Sequence, residues 1–241
     1  MKKIFIDPGH GGSESGAVNK TALEKDINLS VALRLKQLLL EVGFEVKLSR
    51  ETDVYIDLQT RCDMANSWGA DYFISIHHNA CNGKTSGYEV IHSIIHGVGF
   101  DMANLIAKEF EAIGQKADSL GVYDKESQTN PGHDYYAVIR GTNAPANITE
   151  FGYMDSVDYS KFDTLPELEQ EAGAIFRGIC HYYDVFPEVS ETVSSVDDVI
   201  DYLYKIGKIK SPEYWKANAK PGQMCSGEYV GILLQRLVTI S

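Results

Sequence analysis

The hydrophobic positions of this chain fall into short alternating runs separated by longer stretches with helical spacing. Lys3–Asp7 alternates around Ile4 and Ile6 and stops at Pro8-Gly9-His10-Gly11-Gly12, the pattern of a strand running into a tight turn. From Ile27 to Leu40 the residues Ile27, Leu29, Val31, Leu33, Leu35, Leu38 and Leu39 contain helical spacings, and Gly43 is a natural stop. Phe44–Leu48 predicts a second strand and Leu58–Trp68 a helix. Tyr72–Ile76 reads as a buried strand ending in His77-His78-Asn79, with a further strand over Tyr88–Ile95. Phe100–Ile113 is an amphipathic helix, and the polar stretch 114–135 reads as a long loop of the kind that often carries function. Ala146–Phe151 and Leu165–Tyr183 complete the series as a strand and a closing helix.

Strands alternating with helices predict an α/β fold, a mostly parallel twisted sheet flanked by helices. Sites in such sheets gather at the carboxyl ends of strands, and His10, His77 and Glu150 all fall at or just past such ends. Residues 185–195, with Pro187 and three serines, read as a linker. The chain therefore divides into a domain over 1–184 and a small helical C-terminal module over 196–241. Helices are expected there over Val196–Ile206, Pro212–Lys216 and Ser226–Val238. So short a segment has a marginal core of its own, so it is expected to pack on the main domain or to dimerise.

A catalytic zinc needs three protein ligands and an open position. The residues suited to it are His10 in a glycine-rich turn, Glu24 at the front of a helix and His77 at a strand end, with Glu150 as a separate carboxylate able to move a proton. Each has a plainer reading. His10 serves equally as a turn residue and Glu150 as a surface carboxylate. Thr21-Ala22-Leu23-Glu24 matches a capping box, which would fold the Glu24 side chain back onto its own helix. His77 and His78 are strand neighbours that point to opposite faces, so only one shares a metal with His10, and the other is left to solvent or the pocket wall. The spacing His10-x13-Glu24-x52-His77 matches no short metal signature.

Taken in order, these blocks resemble the zinc-dependent N-acetylmuramoyl-L-alanine amidases of the amidase-3 type. Ile6-Asp7-Pro8-Gly9-His10-Gly11-Gly12 with Ser15-Gly16-Ala17 looks like that family's entry motif. Arg61 through Asn66 and Ser75-Ile76-His77-His78-Asn79-Ala80 resemble its arginine, alanine-asparagine and serine-x-histidine-x-asparagine elements, and Gly87-Tyr88-Glu89-Val90 the strand that follows. Val138-Ile139-Arg140 and Pro145 through Tyr153 are similar to the block holding its glutamate. The resemblance covers residues 3–183 and departs softly at Glu14, where the family more often shows aspartate. It implies a Zn²⁺ ion held by His10, Glu24 and His77, Glu150 as the catalytic residue, and peptidoglycan as substrate. The bond cut is the amide between N-acetylmuramic acid and L-alanine. Asn79 and Arg140 become candidates for substrate contact, with a structural salt bridge as the alternative for Arg140. Two competing functions remain, a zinc peptidase cutting within the stem peptide and a non-catalytic wall-binding module.

Composition narrows the partners. A net charge of −12 argues against nucleic acid, which wants cationic stripes. Residues 187–241 hold seven carboxylates and six cationic side chains, so nearly all the acidity lies in residues 1–186. No apolar run is long enough for membrane insertion. The first apolar stretch ends after three residues, so no signal peptide is expected. That leaves two settings: an endolysin held in host cytoplasm until release, or an autolysin that is secreted or released. The four cysteines form no C-x-x-C pair and read as free thiols. Val196-Asp197-Asp198 and Ser211–Trp215 faintly resemble C-terminal modules of clostridial and phage-type amidases. Wall attachment or homo-oligomerisation is the functional expectation there, and a stabilising extension the plain one.

Overall fold

Ile4, Phe5 and Ile6 are all fully buried, which a strand achieves only when both faces of its sheet are covered. In the computed structural model of the protein, described for residues 1–186, 196–205, 209 and 212–218, that strand is β1 (Lys3–Pro8). It is followed by the two-residue strands β2 (Val18–Asn19) and β3 (Ala22–Leu23), helix α1 (Glu24–Glu41) and β4 (Glu45–Leu48). Next come α2 (Leu58–Trp68), β5 (Tyr72–Asn79), β6 (Tyr88–His92), α3 (Val98–Ala112) and β7 (Ala117–Asp124). A short helix α4 (Ala137–Gly141), β8 (Ala146–Tyr153), a 3₁₀ turn (Val157–Lys161) and α5 (Leu165–Tyr183) complete this part.

Six strands form one sheet in the order β4-β1-β5-β8-β6-β7. Every neighbouring pair is parallel except β6 with β8, which run antiparallel. The α/β reading is thereby met: a mostly parallel sheet flanked by helices. The period of two sorts the side chains. Phe5, Phe73, Ile91 and Ile148 pack with Cys62 and Ala65 of α2 and with Val138 and Ile139 of α4. Ile4, Ile6, Ile74 and Ile76 take the alternate positions, and α1, α3 and α5 pack together and onto the sheet. Each large apolar side chain so buried contributes about 1.5–3 kcal/mol. Helix α2 has bounds set by its sequence. The Asp57 side chain caps it by accepting from Thr60 N at 2.9 Å, and Gly69 closes it at φ 70°.

The stretch 114–135 is not loop throughout, because β7 occupies Ala117–Asp124. Its polar sequence hid it for a physical reason: it is an edge strand, largely exposed. Its register with β6 is also broken where Asp118 turns back to accept from Leu120 N and Gly121 N.

The chain separates into two compact units, Met1–Asp184 and Val185–Ser241. In the second, α6 (Val196–Lys205) and α7 (Pro212–Asn218) bury Ile200, Ile209 and Trp215 in a small cluster, and Lys216 pairs with Asp201 at 2.6 Å. Most of the expected linker (187–195) and the expected helix Ser226–Val238 lie outside the described residues. None of the helices among the described residues is long and apolar enough to cross a membrane.

Candidate metal centre

The turn after β1 is built to hold a histidine where the backbone would not ordinarily place one. His10 has φ 59°, in the left-handed region that costs a non-glycine residue free energy unless its surroundings fix it. Two buried arginines do so. Arg61 donates from Nη1 to Pro8 O at 2.9 Å and from Nη2 to His10 O at 2.8 Å. Arg50 donates from Nε to Pro8 O at 3.1 Å and from Nη2 to Gly9 O at 2.9 Å. Arg61 is itself held by Asp7 Oδ1 at 2.7 Å, and Asp7 also accepts from Ser49 and Ser75.

Glu24 comes to the same place by a different route. The β2–β3 hairpin delivers the chain to α1, and its approach supplies backbone caps: Glu24 N donates to Ala17 O and Lys25 N to Ser15 O. No side chain caps this helix, whose N-cap is Leu23, so the capping-box alternative for Glu24 does not hold. The carboxylate is left to face His10 Nε2 at 3.2 Å and His77 Nδ1 at 2.9 Å. Burial alone would push Glu24 up. The contacts from His10 and His77 more than reverse that, holding it well below the usual carboxylate range.

His10, Glu24 and His77 form the one trio among the described residues whose ligand atoms all lie within 4.8 Å of one another. Ligands bonded at ~2.0 Å around a tetrahedral ion stand about 3.3 Å apart. The two carboxylate–imidazole distances are close to that spacing, and two imidazoles with one carboxylate are a donor set that zinc accepts. The expected residues therefore fit the ion.

Across the sheet from this trio, Glu150 pairs in register with His77 on β5 and with Glu89 on β6. Burial first, then the Glu24 and Glu89 carboxylates, push Glu150 well above the usual range, and its Oε2 is buried without a hydrogen-bond partner. His10, His77 and Glu150 line one cleft of about 370 Å³ together with Tyr55, Arg61 and Tyr136. That volume suits one segment of a small ligand.

The remaining expectations are placed as follows. Asn79 ends β5, where its Oδ1 accepts from Ala80 N. Arg140, exposed on α4, donates from Nη1 to the carbonyls of Asp134 and Tyr135. His78 meets neither solvent nor the pocket wall. It is buried on the opposite face, with Nδ1 2.8 Å from Asn28 Oδ1 and Nε2 3.0 Å from Glu171 Oε2. The Asn28 amide donates from Nδ2 to Glu24 Oε1 and Gly9 O, each at 3.3 Å. Both are acceptors, which fixes the amide's orientation and requires His78 Nδ1 to be a donor. A line of hydrogen bonds thus runs from Glu171 through His78 and Asn28 to Glu24. Asn28 went unnoticed in the sequence, although it lies one helical turn after Glu24 and so on the same side of α1.

Residues 4–181 match the family model for N-acetylmuramoyl-L-alanine amidases, amidase 3. The chain is 41% identical over 160 residues to the N-acetylmuramoyl-L-alanine amidase CwlM of Bacillus licheniformis, covering 66% of this chain and 59% of that one. It is 38% identical over 182 residues to the sporulation-specific N-acetylmuramoyl-L-alanine amidase of Bacillus subtilis, covering 74% and 67%. Among solved structures, the catalytic domain of CwlV, an N-acetylmuramoyl-L-alanine amidase from Bacillus (Paenibacillus) polymyxa, superposes with a TM-score of 0.68 at 30% identity. That match covers 77% of this chain and 99% of the other. The fold, the His10–Glu24–His77 trio and these likenesses agree, and the chain belongs to the amidase-3 family.

Proposed function

We propose that residues 1–184 hydrolyse the amide bond between N-acetylmuramic acid and L-alanine in bacterial peptidoglycan, with zinc held by His10, Glu24 and His77. The observation that carries this reading is that His10 and His77, two members of the compact His10–Glu24–His77 trio, line one cleft together with Glu150, the in-register neighbour of His77. Zinc, when bound, supplies a Lewis acid for the scissile carbonyl and acidifies water so that hydroxide is available near neutral pH.

Glu150 moves the proton. It takes one from the attacking water and gives it to the departing alanine nitrogen, and its raised affinity for a proton suits it to hold one between the two events. The charge held on Glu24 keeps that carboxylate free of protons and able to serve as a ligand. Arg61 and Arg50 hold the His10 turn and keep its imidazole aimed into the cleft. Asn79 and Arg140 are assigned to contacts with the stem peptide. The unit from 185 onward is assigned to wall attachment or self-association.

Digestion of defined peptidoglycan, with products identified by mass, tests the reading. The expected products are peptides with a free L-alanine amino group and glycans with a free lactyl carboxylate, without new reducing ends. Chelation should abolish the reaction and added zinc restore it. Fragments cut within the stem peptide would instead identify a zinc peptidase. Comparing wall sedimentation and solution mass of the full chain with those of a chain ended at 186 tests the second unit. Equal wall binding and the same oligomeric state would remove its assignment.

A further inference from the structure

Opposite the metal trio, a chain of phenols ends in the cleft. Glu89 stands directly across from Glu150 in the antiparallel β6–β8 register, so both side chains leave the same face of the sheet. Tyr153 Oη lies 2.8 Å from Glu89 Oε1 and 2.9 Å from Asp118 Oδ2, and Tyr123 Oη donates to Glu89 Oε2 at 2.9 Å. Tyr123 Oη also lies 2.9 Å from Tyr136 Oη, and Tyr136 lines the cleft beside Glu150. The proposed reaction so far uses none of the tyrosines.

Counting protons sets the polarity of this chain. A phenol carries one proton. Burial and then a hydrogen bond with Asp118 push Glu89 up, and a proton held there is directed to Asp118, so Glu89 Oε2 accepts from Tyr123. Tyr123 spends its proton on Glu89, so its contact with Tyr136 requires Tyr136 to be the donor. The Tyr136 proton therefore points out of the cleft, and a lone pair is what Tyr136 offers inside it. Burial, first, and the neighbouring carboxylates push Tyr123 and Tyr136 up, so both stay neutral at physiological pH. A neutral acceptor at that position recognises an N–H or O–H of the substrate and offers nothing to a developing oxyanion.

Resting on the amidase reading above, we propose that Tyr136 Oη accepts the N–H of the scissile amide and so orients the leaving nitrogen toward Glu150. As water's oxygen adds to the carbonyl carbon, the amide loses its planarity and the nitrogen gains a localised lone pair. With the N–H held by Tyr136, that lone pair faces the Glu150 proton. Proton transfer and cleavage of the carbon–nitrogen bond then leave a lactyl carboxylic acid and a free alanine amine, and the proton taken from water has passed to nitrogen. The line Glu89–Tyr123 fixes Tyr136 in the accepting sense and makes the site selective for an amide over an ester.

The test uses the full zinc-loaded chain and two muramoyl-peptides, one natural and one with L-lactate replacing L-alanine, so that an ester oxygen stands where the N–H was. Tyr136→Phe is expected to lower kcat/KM about 10- to 100-fold on the amide and at least ten-fold less on the ester. Tyr123→Phe releases the Tyr136 proton to rotate into the cleft and should give a smaller loss, again confined to the amide. Equal losses on both substrates, or no loss on the amide, would overturn the proposal. If the wild-type chain releases no alanine-terminated peptide from the natural substrate, the amidase reading itself fails and this proposal with it.

Discussion

The backbone of Gly9 lies flat against the imidazole of His77, so that a Cβ on Gly9 would stand 2.2 Å from His77 Cε1 and 2.3 Å from Nε2. Real side chains never approach so closely, and the ring has nowhere to retreat, because its Nδ1 is set against Glu24 on the other side. Gly16 plays the matching part for the other two members of the proposed zinc trio: at φ +66°, its added Cβ would meet Glu24 Oε2 at 2.4 Å and His10 Cδ2 at 2.6 Å. Gly9→Ala is the cleaner probe, since its penalty is purely steric. We expect it to keep the far-ultraviolet spectrum of the fold and to weaken zinc binding about ten-fold or more, measured by competition with a chromogenic chelator. Zinc affinity equal to wild type would show that the close packing does not hold the ligand.

The hydrogen bonds from Glu171 through His78 and Asn28 give Glu24 a fixed orientation from behind. Asn28→Ala removes the amide that donates to Glu24 Oε1 and is expected to weaken zinc binding about 10- to 100-fold. Glu171→Gln offers a control with opposite outcome. Its amide can donate to His78 Nε2 and so preserve the Nδ1 proton that Asn28 needs, and zinc affinity should stay near wild type. Glu171→Ala leaves His78 without that partner and should fall toward the Asn28→Ala value. Wild-type affinity in Asn28→Ala sinks the idea.

How far this site was legible in the sequence follows from which residues act through strand ends. His10 lies just past the end of β1, as parallel sheets favour, whereas His77 and Glu150 stand inside β5 and β8, two and three residues short of their ends, and it was the ordered motifs that singled them out. Glu24 was ambiguous, because a capping box and a ligand share one local pattern. Only the backbone carbonyls of Ser15 and Ala17, just before the hairpin, satisfy the helix start and decide against the cap. His78 was misplaced, since the period of two gives the face but not what covers it, and α5 with Glu171 is 93 residues away in sequence. Tyr136 had no signal of its own. It matters through Tyr123, on an edge strand whose polar sequence read as loop.

Arg61 is among the largest fully buried side chains, and its partners are Asp7 and the carbonyls of Pro8, His10 and Ile56. Removing one half of a buried ion pair leaves the other charge uncompensated, at a typical cost of about 3–5 kcal/mol. Arg61→Met should therefore lower the urea midpoint steeply. The exposed Lys2–Asp71 pair, at 3.1 Å, is a useful contrast. Lys2→Ala should change stability by less than about 1 kcal/mol. Comparable losses from the two substitutions would contradict the caging role of Arg61.

Glu150 carries opposite demands from chemistry and folding. Burial, then the Glu24 and Glu89 carboxylates, raise its folded pKa well above the ordinary 4.5. A carboxyl whose folded value is raised binds more protons in the folded state. Its contribution to stability is therefore fully present below about pH 4 and is lost as pH rises toward the folded value. Glutamine cannot ionise and escapes that loss. In the metal-free protein, Glu150→Gln is expected to melt with wild type near pH 4 and above it at pH 8. The gain should be about 1 kcal/mol, or roughly 2–4 °C for a domain of this size. The same substitution removes the proposed proton carrier and should slow hydrolysis by about 10²- to 10⁴-fold with zinc bound. Calorimetry across pH and single-turnover digestion read the two effects separately. Equal melting at every pH would deny the strained burial of Glu150, and undiminished hydrolysis would deny its role in proton transfer.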